Sequence, residues 1–165
     1  MLLEKGADVN ACAWHNRTGA EFAMGQNHTE IVELLISKGA DISQLHLAIY
    51  LKDEAKARSL IECGADVNKR TPYGTTPLHR AASAGLKDIV GLLIDKGGDV
   101  NAKDNWDWTV LHSAVYGDKE VVELLIAKGA NVNARDGDSR TPLWYAQDEG
   151  YTEIVELLRK HGAKE

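Results

Sequence analysis

The sequence predicts an all-α protein, an α-solenoid of stacked helix-turn-helix repeats with β-turn finger loops. Two observations predict this fold class. A glycine-centred segment occurs six times along the chain, and a threonine-led apolar segment alternates with it. The repeating glycines are 33, 25, 33, 32 and 33 residues apart. Self-similarity at such a period is the sequence signature of a repeat architecture.

The glycine-centred segment predicts the end of a helix. An acidic and apolar run precedes it, for example EVVELLI at 120–126, and this pattern is typical of a short amphipathic helix. A glycine directly after such a run ends the helix because it adopts the left-handed conformation at little cost. Copies of the segment, related to KGADVN, stand at 5–10, 38–43, 63–68, 96–101 and 128–133, with a short echo at 161–163.

The threonine-led segment predicts the start of another helix. It reads TPLHRA at 76–81, TVLHSA at 109–114 and TPLWYA at 141–146, with a shorter LHLA at 45–48. Threonine is a favourable N-cap, and proline suits the first helical position. The polar stretch before it, 101–108 in one copy, predicts a finger-like loop. A unit of one finger and two short helices buries too little apolar surface alone, so the units must stack.

These motifs resemble the ankyrin repeat family, and the resemblance covers essentially the whole chain. It implies an L-shaped stack with the fingers along one edge. It also implies a concave surface built by the fingers and the first helix of each repeat. Its histidine in the threonine-led segment, here His46, His79 and His112, implies hydrogen bonds that tie neighbouring repeats together.

The repeat spacing divides the chain, which we predict to form a single ankyrin repeat domain over residues 1–165. The second repeat lacks its finger because the glycine-centred segment runs directly into the LHLA copy. Arg159 takes the position of an isoleucine in the second helix, which predicts a capped C-terminus. Met1 falls in the middle of a second helix, so we predict either a longer parent array, cut at this point, or a start that leaves an apolar face exposed. The predicted parts are a stub at 1–10, a degenerate repeat at 11–43, the shortened repeat at 44–68, and repeats at 69–101, 102–133 and 134–165.

Composition excludes several classes of function. Lys and Arg total 19 against 25 Asp and Glu, and the net charge of −6 disfavours a nucleic-acid binder. No apolar run approaches the roughly 18 residues of a membrane span. Two distant cysteines and a start without a signal-peptide pattern predict a cytoplasmic protein. We expect a monomer unless the N-terminal face self-associates.

No residue constellation predicts catalysis, a cofactor or a metal site. The histidines of the threonine-led segment recur with the fold instead of converging on one pocket, which indicates a structural role. A calcium-like DGDS run at 136–139 lacks the acidic residue at loop position 12, where Gln147 stands. We therefore predict that the chain is not an enzyme.

The fingers contain the strongest candidate binding residues. Three of the four tryptophans fall in predicted loops, and Trp, Tyr and Arg dominate binding hot spots. Side chains two apart in an extended finger share a face, so we predict one aromatic platform of Trp106, Trp108 and Tyr73. The candidate partner-binding residues are Trp14, His15, Arg17, Arg70, Tyr73, Thr75, Lys103, Asn105, Trp106, Trp108, Tyr116, Arg135, Asp138 and Arg140.

Two functions fit this pattern. The leading hypothesis is a non-catalytic protein–protein interaction module that uses the fingers and the concave helix face. The alternative is binding of a small ligand, nucleotide or oligonucleotide, with a base stacked on the platform and phosphates on nearby basic residues. Acidic neighbours in the same fingers disfavour the alternative. A third interpretation is purely structural, because large rings rarely stay bare and these could simply pack between fingers.

Overall fold

The computed structural model describes residues 19–20, 23, 28–38 and 43–164. Outside them lie the predicted stub at 1–10 and the candidate residues Trp14, His15 and Arg17. Nine helices have both ends within these ranges, and the fold prediction, an all-α repeat solenoid, is confirmed. The helices are α1 (Thr29–Ser37), α2 (Gln44–Tyr50), α3 (Glu54–Glu62), α4 (Pro77–Ser83), α5 (Lys87–Asp95), α6 (Val110–Ala114), α7 (Lys119–Ala127), α8 (Pro142–Asp148) and α9 (Thr152–Lys160).

The threonine caps form as the sequence predicts. The Thr76 hydroxyl accepts a hydrogen bond from the backbone N–H of His79, and Thr109 and Thr141 cap α6 and α8 in the same way. In α2 the equivalent residue is Ser43, whose side chain makes no capping bond. The first helix of the shortened repeat therefore begins without the cap that the later first helices have.

The predicted glycine stops are also confirmed. Gly64, Gly97, Gly129 and Gly162 follow the second helices with φ between 84° and 92°. After α7, the amide of Ala130, the residue that follows Gly129, donates a hydrogen bond to the Leu125 carbonyl at 2.9 Å. This bond satisfies one of the carbonyl acceptors that the end of a helix leaves without a partner. These four second helices, α3, α5, α7 and α9, are thus each followed by a residue in the left-handed conformation, which glycine adopts without strain.

The helices form two parallel rows. The first helices α2, α4, α6 and α8 pack in sequence against one another, and the second helices α3, α5, α7 and α9 form the other row. One apolar cluster runs through the stack from Leu45 to Leu158 and is built from Leu, Ile, Val and Ala. Among the described residues the core therefore uses no phenylalanine.

The described N-terminal part is less well packed. Val32 of α1 joins Ala23 and Leu47 in a small separate cluster. Ile31 and Leu34 of α1 are about half exposed, at 47% and 49%. In later repeats the residue equivalent to Ile31 is fully buried, as Ile89 shows. Two apolar side chains of α1 are thus exposed, whereas the start of the chain, to which the prediction of an open apolar face applies, lies outside the described residues.

The turn between α6 and α7 departs from its neighbours. Gly85 and Gly150 close the equivalent turns with φ of 74°, but Gly117 is outside the positive-φ region. A Cβ atom at Gly117 would overlap the carbonyl oxygen of Ala82 in the preceding repeat. The repeat at 102–133 is one residue shorter than the repeat at 69–101. Its turn lies so close to α4 that only glycine fits at position 117.

Candidate functional site

Backbone hydrogen bonds join three fingers into one row. The fingers are residues 71–75, 104–108 and 136–140, each closed by a bond from its first amide to its last carbonyl. Between fingers, the Asn105 amide donates to the Tyr73 carbonyl at 2.9 Å, and the Gly137 amide donates to the Trp106 carbonyl at 2.8 Å. The Asn105 side chain adds a bond to the Pro72 carbonyl at 2.7 Å. The finger tips are therefore held at a fixed spacing.

An aspartate folds each of the last two fingers. One carboxylate oxygen of Asp104 accepts from the amides of Trp106 and Trp108, at 2.8 and 3.0 Å. Asp136 does the same for Asp138 and Arg140 in the next finger. Such a side chain replaces the missing backbone partners of a tight turn. Asp104 thus fixes the backbone of Trp106 and Trp108, and Asp136 fixes the backbone of Asp138 and Arg140.

The two aspartates differ in protonation energetics. Burial raises the pKa of the Asp104 carboxyl, although the two amides oppose the shift. Burial would also raise the pKa of Asp136, but the Tyr145 hydroxyl and two amides donate to it and lower its pKa below the usual range. The Tyr145 hydroxyl lies 2.6 Å from the second Asp136 oxygen. Asp136 is thus a satisfied buried carboxylate, which explains the DGDS run without calcium.

A groove opens between the fingers and the first helices. Its volume is about 390 Å³, and we call it the finger groove. Trp106 stands at its edge, 48% exposed, with its ring centroid 5.5 Å from that of Tyr73. The finger groove is lined by Thr75, His79, Arg80, Ser83, Asp104, Trp106, Trp108 and Ser113.

The single aromatic platform that we predicted does not form. Tyr73 is only 8% exposed and supports Trp106 from beneath. Trp108 turns towards the helices, where its ring lies 5.0 Å from His112 and 6.2 Å from Tyr116. Trp106 alone of the three thus presents a largely exposed ring at the finger tips. The cause is packing: Trp108 finds aromatic neighbours on α6 and α8, and Trp106 does not.

Trp108 belongs to a second aromatic assembly that the sequence reasoning missed in part. Tyr145 contacts Trp108 edge-on at 4.7 Å, and Trp144 contacts Tyr145 at 4.9 Å. We call Trp108, Tyr116, Trp144, Tyr145 and Tyr151 the aromatic cluster. Of these, the prediction named only Trp108 and Tyr116. The signal was the TPLWYA segment, in which Trp144 takes the place of the recurring histidine and Tyr145 follows it.

Two of the three recurring histidines, His79 and His112, make the hydrogen bonds between repeats that the resemblance implies. Nδ1 of His79 accepts from the Thr76 amide at 3.2 Å, so Nε2 carries the proton and donates to the Trp108 carbonyl at 3.1 Å. His112 bonds in the same way to the Arg140 carbonyl at 3.2 Å. Neither ring nitrogen of His46 reaches a hydrogen-bond partner among the described residues.

Burial is also the main influence on the protonation of these rings. Burial lowers the pKa of both His46 and His79 to about 4, because the charged ring would lose its hydration. Burial likewise lowers the pKa of His112. The three rings therefore stay neutral at physiological pH, and each one lies within the stack.

The basic residues of the fingers make contacts within the chain. Arg70 donates to the carbonyls of Gly74 and Lys103, at 3.1 and 2.7 Å, and so ties two fingers together. Lys103 pairs with Asp107 at 2.9 Å. Arg135 donates to the Ser139 carbonyl, and Arg140 lies 3.7 Å from Asp138. The cations that a nucleotide phosphate would need are thus engaged with backbone and carboxylate oxygens.

Within the described residues, 19–20, 23, 28–38 and 43–164, no group of three His, Cys, Asp or Glu side chains could hold a metal ion. None of the helices in these ranges has the length and apolar character of a membrane span.

Family models match most of the chain. A model for three copies of the ankyrin repeat matches residues 45–136 and 104–165. A model for a single ankyrin repeat matches residues 22–44.

Curated relatives show the same repeats in longer proteins. The chain is 40% identical over 111 residues to alpha-latrocrustotoxin-Lt1a of Latrodectus tredecimguttatus, covering 62% of this chain and 8% of the relative. It is 39% identical over 90 residues to ankyrin repeat and SOCS box protein 5 of Oryctolagus cuniculus, covering 50% and 27%. It is 37% identical over 123 residues to putative ankyrin repeat protein FPV244 of fowlpox virus, covering 70% and 18%. The chain thus spans about a quarter or less of the length of these relatives.

Proposed function

This chain belongs to the ankyrin repeat family, and on that premise we propose that it binds a protein partner through its finger row and concave helix face. Repeats of this family generally act as protein–protein interaction modules and are typically non-catalytic. The finer proposal concerns the surface used here, and it includes the described candidate residues of the fingers. The cytoplasmic location stays a prediction.

One observation carries the proposal: Trp106 is a supported yet exposed ring beside a groove. Its backbone is fixed on both sides, by Asp104 within the finger and by Gly137 in the next finger. Its ring lies on the buried Tyr73. A large ring held in one orientation loses little conformational entropy on binding, and such tryptophans dominate interface energetics.

The groove supports a polypeptide more than a nucleotide. Its lining mixes hydroxyl groups, a carboxylate, an imidazole, one guanidinium (Arg80) and two indoles, which together suit an extended segment with both polar and apolar side chains. The basic side chains nearby already contact backbone and carboxylate oxygens. These contacts favour a polypeptide over a nucleotide as the occupant of the finger groove.

The test selects ligands on the purified chain from a phage-displayed library of random peptides. We expect enriched peptides to bind Trp106→Ala at least about tenfold more weakly, because a hot-spot ring contributes about 2 kcal/mol. Leu34→Ala is the matched control, since it truncates another exposed apolar side chain, on the second helix α1 and outside the fingers and first helices. Trp108→Ala is unsuitable, because that ring packs on His112 and Tyr145 and its loss would weaken the fold.

Two results would contradict the proposal. One is a selection in which no sequence enriches on the chain above an uncoated surface. The other is a set of selected peptides that bind the wild type and Trp106→Ala equally well. Thermal unfolding of each variant shows whether a lost interaction reflects the surface or the fold.

A further inference from the structure

The aromatic cluster offers a second, differently charged surface on the concave face. Tyr116 lies in the turn that follows α6 and is 41% exposed, and Tyr151 in the next repeat is 38% exposed. Their ring centroids are 6.4 Å apart with the planes nearly perpendicular. Tyr116 also stacks against Trp108 at 6.2 Å. Exposed rings that brace one another are preorganised for contact with a partner.

Carboxylates lie at the Tyr116 end of this cluster. Asp148 ends α8 and Glu149 follows it, and both side chains are exposed. Burial is the main cause that raises the pKa of the Tyr116 hydroxyl, and the negative charges of Glu149 and Asp148 raise it further. The electrostatic potential beside this ring is therefore negative, which favours a cation and disfavours an anion.

The opposite end of the cluster already holds a cation from the chain itself. The Arg140 guanidinium carbon lies 4.3 Å from the centroid of the Trp144 ring. A cation over an aromatic face is attracted by the ring quadrupole. The cluster thus shows this chemistry at Trp144, whereas at Tyr116 the charged groups that act on the ring are carboxylates.

We propose that a lysine or arginine side chain of a protein partner docks on the exposed face of Tyr116 and Tyr151, beside Asp148 and Glu149. The ring faces take the aliphatic stem and the cation, and the carboxylates accept its N–H hydrogen bonds. This inference rests on the proposed function, and it adds the charge of the partner. A partner that reaches from Trp106 along the groove past Trp108 would place its basic residue here.

The test compares two charge reversals of equal size in the same peptide selection. Asp148→Lys with Glu149→Lys reverses the proposed surface. Glu123→Lys with Glu156→Lys is the matched control, because these exposed residues lie on the second helices and change the net charge equally. The probe is again the random peptide library, followed by fluorescence anisotropy with the most enriched peptide.

We expect wild-type selections to enrich peptides with lysine or arginine over their frequency in the starting library. The selected peptide should bind Asp148→Lys/Glu149→Lys at least about tenfold more weakly and the control variant within about twofold. Tyr116→Leu should weaken binding about fivefold, and Tyr116→Phe, which keeps the ring, should restore it. The unlike effects of Leu and Phe separate ring contact from simple burial of apolar surface.

The outcomes distinguish a failure of this inference from a failure of the proposed protein-binding function on which it rests. Enriched peptides without a basic preference would overturn the inference and leave the interaction module standing. Equal losses in the two charge-reversed variants would also overturn it, because attraction to the acidic chain as a whole would explain them. No enrichment on the wild type would contradict the proposed function itself.

Discussion

Acid destabilises this protein through its buried histidines, and replacing His46 tests that reasoning directly. His46 lies inside the stack without a hydrogen-bond partner among the described residues, and burial lowers its pKa to about 4. In the unfolded chain its pKa returns to about 6.5. Between these two values the unfolded state binds the proton and the folded state does not. The stability that the neutral ring provides is therefore present above pH 6.5 and is lost as the pH falls towards 4.

The magnitude follows from the two pKa values. Between pH 7 and pH 5, a histidine with these values lowers the free energy of unfolding by about 2 kcal/mol. His79, with a pKa of about 4, adds a similar amount, and His112 acts in the same direction. A loss of about 4 kcal/mol from two residues is large beside the roughly 5–15 kcal/mol of a typical domain.

The assay is urea unfolding followed by tryptophan fluorescence at pH 7 and pH 5. We expect His46→Leu to unfold with a pH dependence about 2 kcal/mol smaller than that of the wild type, and to be the more stable protein at pH 5. Leucine keeps the site apolar and removes the titrating group. His161→Gln is the control, because that side chain is exposed after α9, and its curve should parallel the wild type. Equal pH dependence in His46→Leu and the wild type would refute the reasoning.

Three further predictions concern the stack. Gly117→Ala should cost at least about 2 kcal/mol of unfolding free energy, because its Cβ meets a carbonyl oxygen. Gly91→Ala, mid-helix, should stabilise by about 0.5–1 kcal/mol, because its Cβ would make an ordinary contact with the Leu124 side chain at 3.9 Å. Asn101→Ala should cost about 1–2 kcal/mol, because this side chain donates to the Gly129 carbonyl at 3.1 Å and accepts an amide of the next repeat at 2.8 Å. Amide hydrogens of α1 should exchange faster than those of α5, because α1 buries only Val32.

Each of these has a result that would count against it. Chemical denaturation in which Gly117→Ala matches the wild type would show that the turn relaxes away from α4. An unfolding free energy of Asn101→Ala equal to that of the wild type would show that the two Asn101 bonds do not stabilise the stack. Its control is Asn105→Ala, which removes a side-chain bond between fingers. Equal protection of α1 and α5 in hydrogen-exchange mass spectrometry would show that α1 is as firmly packed as the later helices.

Much of the fold was predictable because its signals are local. Thr76, Thr109 and Thr141 each cap their own helix, and the glycines after α3, α5, α7 and α9 each adopt their own left-handed conformation. Neither event needs information from another repeat, so reading one unit gives them all. The Asn68, Asn101 and Asn133 bonds between repeats escaped the sequence reasoning, because their partners lie about thirty residues away in the chain.

The candidate site was less predictable because exposure depends on neighbours. The sequence placed two tryptophans two residues apart in one finger, and by that spacing both belong to one face. By itself it determined the repeat, the row of fingers and the first and last residues of several helices. Only the tertiary structure decided that Trp106 stays at the surface while Trp108 packs against Tyr116 and Tyr145. The physical reason is that burial is set by rings from other helices, which spacing along one segment does not encode.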